Sequence, residues 1–270
     1  SVFRTGWTGY DVLQSQASCF GTSSVSMTDR PTLPMTDTVA PADAQDVAEA
    51  IRRAYEENTA IYPLGGGTSV AYGLMPIREG IGLQVGGLSQ IVDYTPRDMT
   101  IVVDPGVRVA DLANTLSGEK QILPVDAPQA ESATIGGLIA TDWSGPRRYG
   151  YGTLRDYVIG IGAVDGRGVP FKGGGRVVKN VAGYDFCKLL TGSLGTLGVI
   201  TQLTLKVKPR QELSAAVMAD CPSLAVAERA LEAMVQVPSP PTAIDLQIGP
   251  AWQDDAAMTL VVRIEGTDLE

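Results

Sequence analysis

Three consecutive glycines, Gly65-Gly66-Gly67, follow a short apolar stretch at 60–62 and run into Thr68 and Ser69. Glycine reaches backbone angles that a side chain closes to other residues. A run of three directly after a strand predicts a turn whose N–H groups point into one concavity, with two hydroxyls beside them. Such a nest accepts a phosphate without side-chain cations. The loop Pro63-Leu64-Gly65-Gly66-Gly67-Thr68-Ser69 lacks the lysine of a P-loop and the GxGxxG spacing of a Rossmann turn. On its own it reads equally well as a permissive surface turn.

The rest of the composition narrows the choice. Lys and Arg total 21 against 30 Asp and Glu, a net charge of −9. That field repels nucleic acid and anionic membrane surfaces. Apolar residues at 44% and charged residues at 19% describe a globular chain. At 270 residues it holds one large domain or two modest ones and buries a core without disulfide staples. There is no histidine, which removes Ser-His-Asp and Cys-His catalysis, His-ligated metals and a His-linked cofactor from these residues. Cys19, Cys187 and Cys221 are widely spaced with no CxxC pair, which argues against a zinc ribbon or iron–sulfur cluster here and fits a reducing compartment. No apolar run approaches the length of a membrane span, and the start lacks a signal-peptide layout, so a cytoplasmic location is expected.

Residues 1–36 are rich in Ser, Thr and Gly without sustained periodicity, and are expected to form a flexible N-terminal segment. Asp43 then caps a helix with Val47, Ile51, Ala54 and Tyr55 at helical spacing. Strands are expected at 60–62, 82–85, 91–94 and 100–104, with a turn at 95–98. A second helix spans 108–116, with Val109, Leu112, Ala113 and Leu116 on one face. A small-residue helix begins near Thr134, and strand patterns follow at 156–165, 176–178 and 198–207. After Glu212 the pattern changes to a strand at 213–219, a helix at 223–235, and strands at 243–248 and 257–264. A ferredoxin-like unit needs one further helix and strand, so the chain is expected to stop within a second domain.

Two further segments carry chemistry. Thr134-Ile135-Gly136-Gly137 through Ser144-Gly145 offers small residues against which a flat ligand would lie, or which allow close helix packing. Lys179-Asn180-Val181-Ala182-Gly183-Tyr184-Asp185 precedes a turn with glycines at 192, 195 and 198 that leads into Val199 and Ile200.

In this order and spacing, residues from about 39 to 209 resemble the FAD-binding domain of the vanillyl-alcohol oxidase / p-cresol methylhydroxylase superfamily. Within it they are similar to the glycolate oxidase FAD-binding (E) subunits. Leu123-Pro124-Val125-Asp126, residues 133–137, Tyr149-Gly150 with Arg155-Asp156, and residues 179–185 also carry the likeness. The resemblance implies an α+β fold. A two-lobed PCMH-type FAD-binding domain would span 37–210, with lobes at about 37–105 and 106–210. The start of a ferredoxin-like α+β cap domain would follow at 211–270. It implies that Leu64, Gly65, Gly66, Gly67, Thr68 and Ser69 hold the FAD pyrophosphate. Pro128, Thr134, Gly137, Thr141, Ser144 and Gly145 would line the flavin and ribityl chain, and Gly198, Val199 and Ile200 would lie along the ADP side.

The chain also departs from that pattern. Members that attach FAD covalently use histidine or cysteine. Here there is no histidine, and no cysteine lies in the glycine loop or in 128–145, so FAD is expected to be non-covalent. Cys187 reads as a small buried apolar residue. Catalytic relatives use cap-domain histidines to hold a metal and take a hydroxyl proton, and carry a glutamate where Leu194 stands. No metal site is expected and the catalytic residues are unassigned. Arg148 or Arg155 would be able to clamp a carboxylate, but these arginines, with Arg147, Lys179 and Tyr184, read more readily as loop-shaping or solvent-facing. The resemblance therefore implies a FAD-binding subunit of a multi-subunit glycolate or 2-hydroxy-acid oxidoreductase. Its partners would be a histidine-bearing FAD paralogue that carries the primary reaction and an iron–sulfur subunit, and it would be peripheral at the inner membrane only through them. Two other readings stay open. One is a stand-alone FAD-dependent oxidoreductase of another alcohol using Tyr or Lys. The other is an assembly subunit that keeps FAD without catalysis.

Overall fold

The computed structural model describes residues 33–175, 184–235, 240–248 and 258–267. The chain starts with β1 (Met35–Val39), α1 (Ala44–Glu56), β2 (Ala60–Leu64) and β3 (Gly80–Gln84), whose strands form a parallel sheet with β3 in the middle. Parallel neighbours need a crossover, and α1 supplies one. The helix starts at Asp43, whose side chain accepts from the N–H groups of Gln45 at 2.7 Å and Asp46 at 2.9 Å. Val47, Ala48, Ile51 and Ala54 form its buried face, while Tyr55 is exposed. β1 begins inside the segment expected to lie outside the fold. All five of its residues are exposed, so no apolar alternation marks it.

The second layer is an antiparallel sheet of β4 (Ile91–Thr95), β5 (Thr100–Val103), β7 (Val158–Val164), β8 (Pro170–Gly174) and β9 (Val199–Lys206), in the order β4-β5-β9-β7-β8. Here the structure corrects the expected lobe boundary. β4 and β5 lie within 37–105, yet β5 pairs with β9 from Thr100↔Lys206 to Val103↔Leu203. The layers therefore divide after β3, because the hairpin's free edge finds its hydrogen-bond partner in the later strand. β8 was not expected, since Pro170-Phe171-Lys172-Gly173-Gly174 has little strand propensity. The strand expected at 156–165 starts at Val158. Before it, Leu154–Tyr157 forms a single turn closed by reciprocal capping between Thr153 and Asp156. The expected strand at 176–178 lies outside the described residues.

The helices α2 (Val109–Gly118), α3 (Ile135–Thr141) and α5 (Phe186–Leu190) pack on this sheet, and α4 (Arg148–Tyr151) is a short surface turn. Leu112, Leu116, Ile135, Ile139, Leu154, Leu190, Leu203 and Leu205 form the centre of the core. On α2 only Leu112 and Leu116 are fully buried; Ala113 faces solvent. A short antiparallel pair, β6 (Gln121–Ile122) with β10 (Lys208–Pro209), closes one edge. There the buried Gln121 accepts from the Tyr94 hydroxyl at 3.0 Å and donates to the Pro96 carbonyl at 2.7 Å.

The last unit is β11 (Leu213–Asp220), α6 (Leu224–Val235), β12 (Ala243–Ile248) and β13 (Met258–Gly266). Its strands pair antiparallel with β13 between β11 and β12, an order that agrees with the first three strands of a split βαβ unit. Cys221, Ala227, Leu260 and Val262 form its core against α6. Leu203 lies at the centre of β9 with no exposed surface. Leu203→Ala is expected to lower stability by about 2–5 kcal/mol, read as a shift in the urea midpoint at constant m-value.

Candidate functional site

A cleft of about 480 Å³ opens where the parallel and antiparallel layers meet. Three segments build it. The loop after β2 supplies Leu64, Gly65, Gly66, Gly67, Thr68 and Ser69. The start and inner face of α3 supply Thr134, Gly136, Gly137, Ala140 and Thr141. The turn into β9 supplies Leu194, Gly195, Thr196, Gly198, Val199 and Ile200. The structure thus brings together most of the residues expected to contact a ligand.

The glycine triplet does different work at each position. A Cβ on Gly66 would lie 1.7 Å from the carbonyl oxygen of Ser132, and one on Gly65 would lie 2.2 Å from Thr134 Oγ1. Gly66 is required by a close backbone approach, and Gly65 by the Thr134 side chain. Only Gly67 adopts a left-handed conformation, at φ +70°, and a Cβ there would meet open space. No carbonyl or side-chain acceptor among the described residues takes the N–H groups of Gly66, Gly67, Thr68 or Ser69. Four unpaired donors therefore belong to residues lining a cleft to which the described residues contribute no Asp, Glu, Lys or Arg side chain. This donor set fits an anionic, phosphate-bearing group bound without a counter-cation.

The facing wall is held from within. Thr134 Oγ1 caps α3 by accepting from the Gly137 N–H at 3.3 Å. Thr141 Oγ1 donates back to the carbonyls of Gly137 and Leu138 at 3.0 and 3.1 Å. Gly192 and Gly195 take φ of +79° and +72° in the third segment, and Leu194 between them is also left-handed at +54°. Leu194 approaches Gly73, where an added Cβ would lie 3.1 Å from Leu194 Cδ1. Tyr72, Gly73 and Leu74 complete the cleft wall, which sequence reasoning missed because residues 70–77 follow no period.

Pro128, Ser144 and Gly145 do not reach the cleft lining. After Thr141 the chain turns away through Asp142, at φ +50°. Ser144 Oγ accepts from the Leu154 N–H at 2.9 Å, and Gly145 takes φ +67° so that it can pass Asp126, 2.7 Å from where its Cβ would stand. Pro128 is half-buried in the segment leading to α3.

The charged candidates are elsewhere. Arg148 and Arg155 face solvent and Tyr184 is 83% exposed. Lys179, with the rest of 179–183, lies outside the described residues. Arg147 is drawn inward, with its Nε 3.1 Å from Asp126 Oδ1 and off the axis of a hydrogen bond. Burial raises the Asp126 carboxyl above its usual range, and the Arg147 guanidinium only partly opposes this. Cys187 is buried, and its thiol is pushed up to about 11, first by burial and then by Asp185. It stays protonated near neutral pH and unreactive. Among the described residues no group of three or more Cys, Asp or Glu side chains is placed to hold a metal ion, and no helix is long and apolar enough to cross a membrane.

Residues 37–173 match the family model described as FAD binding domain. Among curated proteins, the chain is 33% identical over 181 residues to the glycolate oxidase subunit GlcD of Bacillus subtilis, covering 67% of this chain and 38% of that protein. It is 36% identical over 172 residues to the glycolate oxidase subunit GlcE of Escherichia coli, covering 63% and 49%. It is 35% identical over 173 residues to the D-lactate dehydrogenase of Archaeoglobus fulgidus, covering 64% and 38%. The chain thus spans less than half the length of each of these relatives. Among solved structures, an alkyldihydroxyacetonephosphate synthase superposes with a TM-score of 0.71 at 22% identity, covering 86% of this chain and 47% of that one, a likeness of fold.

The contrast between Gly66 and Gly67 is directly testable. Gly67→Ala is expected to cost about 1–2 kcal/mol, the strain of a left-handed alanine. Gly66→Ala must push the 132–134 segment away, and is expected to cost more and to abolish ligand uptake by the cleft. Thermal unfolding and ligand titration of the two variants side by side check this.

Proposed function

Because the chain belongs to the FAD binding domain family, we propose that it holds FAD non-covalently in this cleft as the flavin-bearing part of an oxidoreductase acting on a small 2-hydroxy acid. One observation carries the cofactor assignment to this site. Among the described residues no charged side chain lines the cleft, and four adjacent backbone N–H groups of its lining residues have no acceptor of their own. A pyrophosphate supplies the missing acceptors, with Leu64 to Ser69 as its cradle. Thr134, Gly137 and Thr141 form the flavin and ribityl wall. Gly198, Val199 and Ile200 flank the ADP part, and the small residues of α3 let a flat ring system approach the backbone. The bound cofactor supplies the acceptor for the hydride of an alcohol carbon.

The substrate class rests on the names of the relatives, two glycolate oxidase subunits and a D-lactate dehydrogenase. Taking a hydroxyl proton near neutral pH calls for a base of suitable pKa. Among the described residues the cleft lining contains no carboxylate, lysine or histidine. In this reading the base comes from a histidine-bearing partner subunit, itself a FAD-binding paralogue, and an iron–sulfur subunit takes the electrons onward.

Two measurements follow. The purified chain is expected to show a flavin spectrum, to release all its FAD on acid precipitation, and to stay oxidised when glycolate or D-lactate is added without oxygen. Bleaching would appear only when the partner subunits are present. Bleaching by the chain alone would overturn the partner assignment, and a colourless chain that takes up no FAD would overturn the cofactor site. Because N–H groups rather than cations meet the phosphates, FAD affinity is expected to change by less than about threefold as salt shortens the Debye length from ~10 to ~3 Å. A steep salt dependence would place the pyrophosphate against side-chain cations instead.

A further inference from the structure

A buried ionic cluster away from the cleft joins the last unit to the rest of the chain. The side chains of Asp126, Arg147, Arg263 and Glu265 are each between 7% and 13% exposed. Asp126 and Arg147 flank the segment that contains α3, and Arg263 and Glu265 stand on β13. The Arg147 backbone N–H donates to Asp126 Oδ2 at 3.0 Å, and its guanidinium reaches Asp126 Oδ1 at 3.1 Å and Glu265 Oε1 at 4.0 Å. Arg263 Nε lies 3.4 Å from the same Glu265 oxygen and donates to Ser214 Oγ at 3.2 Å. The Tyr151 hydroxyl donates to the other Glu265 oxygen. Beside the cluster the backbones touch, with the Gly150 N–H donating to the Thr242 carbonyl at 3.1 Å. Two cations and two anions balance. Apolar residues of the same volume would hold two units together at least as well, so a buried ionic set points to fixed geometry rather than to adhesion.

A continuous path leads from this cluster to the cleft. The Asp126 carbonyl accepts from Trp143 Nε1 at 2.8 Å. The Trp143 ring lies 6.0 Å from the ring of Tyr72, tilted by 37°. Tyr72 forms part of the cleft wall, and the Trp143 backbone N–H donates to the Leu138 carbonyl of α3 at 3.2 Å. We propose that Arg147 is a positioning residue through which the docked β11–β13 sheet sets the cleft wall at Tyr72. Glu265 holds Arg147, Arg147 holds Asp126, Asp126 holds Trp143, and Trp143 holds Tyr72. The affinity of a cleft built by residues 64–200 then depends on a charge carried by β13. This inference rests on the reading of the cleft as the FAD site.

The test uses the full chain with Glu265→Gln, which keeps the shape of the side chain, and Trp143→Phe, which keeps a ring but loses the N–H. Each variant is expected to weaken FAD binding by about tenfold, a usual size for coupling between sites, and to change the near-ultraviolet circular dichroism of the Tyr72–Trp143 pair. The double variant is expected to bind no more weakly than Trp143→Phe alone, because the path is already cut. Glu265→Gln that lowers the unfolding midpoint but leaves both affinity and dichroism unchanged would overturn the proposal, as would losses that multiply in the double variant. Should Glu265→Gln not fold, Arg147→Lys, which keeps the charge but loses the reach to Glu265, is read by the same two signals. If the wild-type chain takes up no FAD, only the cofactor reading fails. The dichroism of the ligand-free variants then decides the coupling, with an unchanged signal overturning it.

Discussion

The backbone of Gly66 passes so close to the Ser132 carbonyl that no methyl group fits between them. This contact ties the loop after β2, in the parallel layer, to the segment that caps α3, in the antiparallel layer. It sets how closely the loop stands to the segment that leads into Thr134. The neighbouring contact between Gly65 and Thr134 Oγ1 reinforces it, and Thr134 in turn fixes the start of α3 by capping Gly137. A backbone-to-backbone contact of this kind has a single tolerated side chain on one partner and none to spare, which is why the loop reads as glycine there whatever the ligand.

Charge is distributed in a way that follows from the same arrangement. The chain is strongly acidic, at −9, yet among the described residues its cleft has no charged lining. An anion can still be held, because peptide dipoles do not alter net charge. The buried charges are placed instead at the junction with the last unit, where Asp126, Arg147, Arg263 and Glu265 neutralise one another. The likeness of fold to an alkyldihydroxyacetonephosphate synthase at 22% identity shows that such a frame tolerates wide change in sequence.

Much of this was legible in the residues, for identifiable reasons. Helix α1 has both a capping Asp43 and an apolar stripe, and β12 has a clean apolar pattern bounded by prolines and glycines, so both were placed to within a residue or two. β1 and β8 were invisible because one is exposed along its whole length and the other is rich in glycine. The two layers were divided in the wrong place because hydrogen-bond pairing between residues a hundred positions apart leaves no local trace. At the site, glycines and small residues announced the cleft but not their separate tasks: three adjacent glycines look alike in sequence, and only one of them is left-handed. Ser144 and Gly145 carry the same small-residue character as Gly137, and only the turn at Asp142 takes them away from the wall.

The pairing of β5 with β9 has a consequence in time. Thr100 meets Lys206, so the antiparallel layer cannot close until the chain has been made as far as β9. The glycine loop and its parallel sheet are complete long before, but the turn that forms the third side of the cleft leads directly into β9. Non-local pairing of this kind is slow to form and leaves apolar edges uncovered while it waits. Until then a nascent chain carries only part of the cleft lining. With the cleft proposed as the FAD site, loading of the cofactor would coincide with closure of the sheet, and a ligand that binds only the closed form would draw that closure to completion.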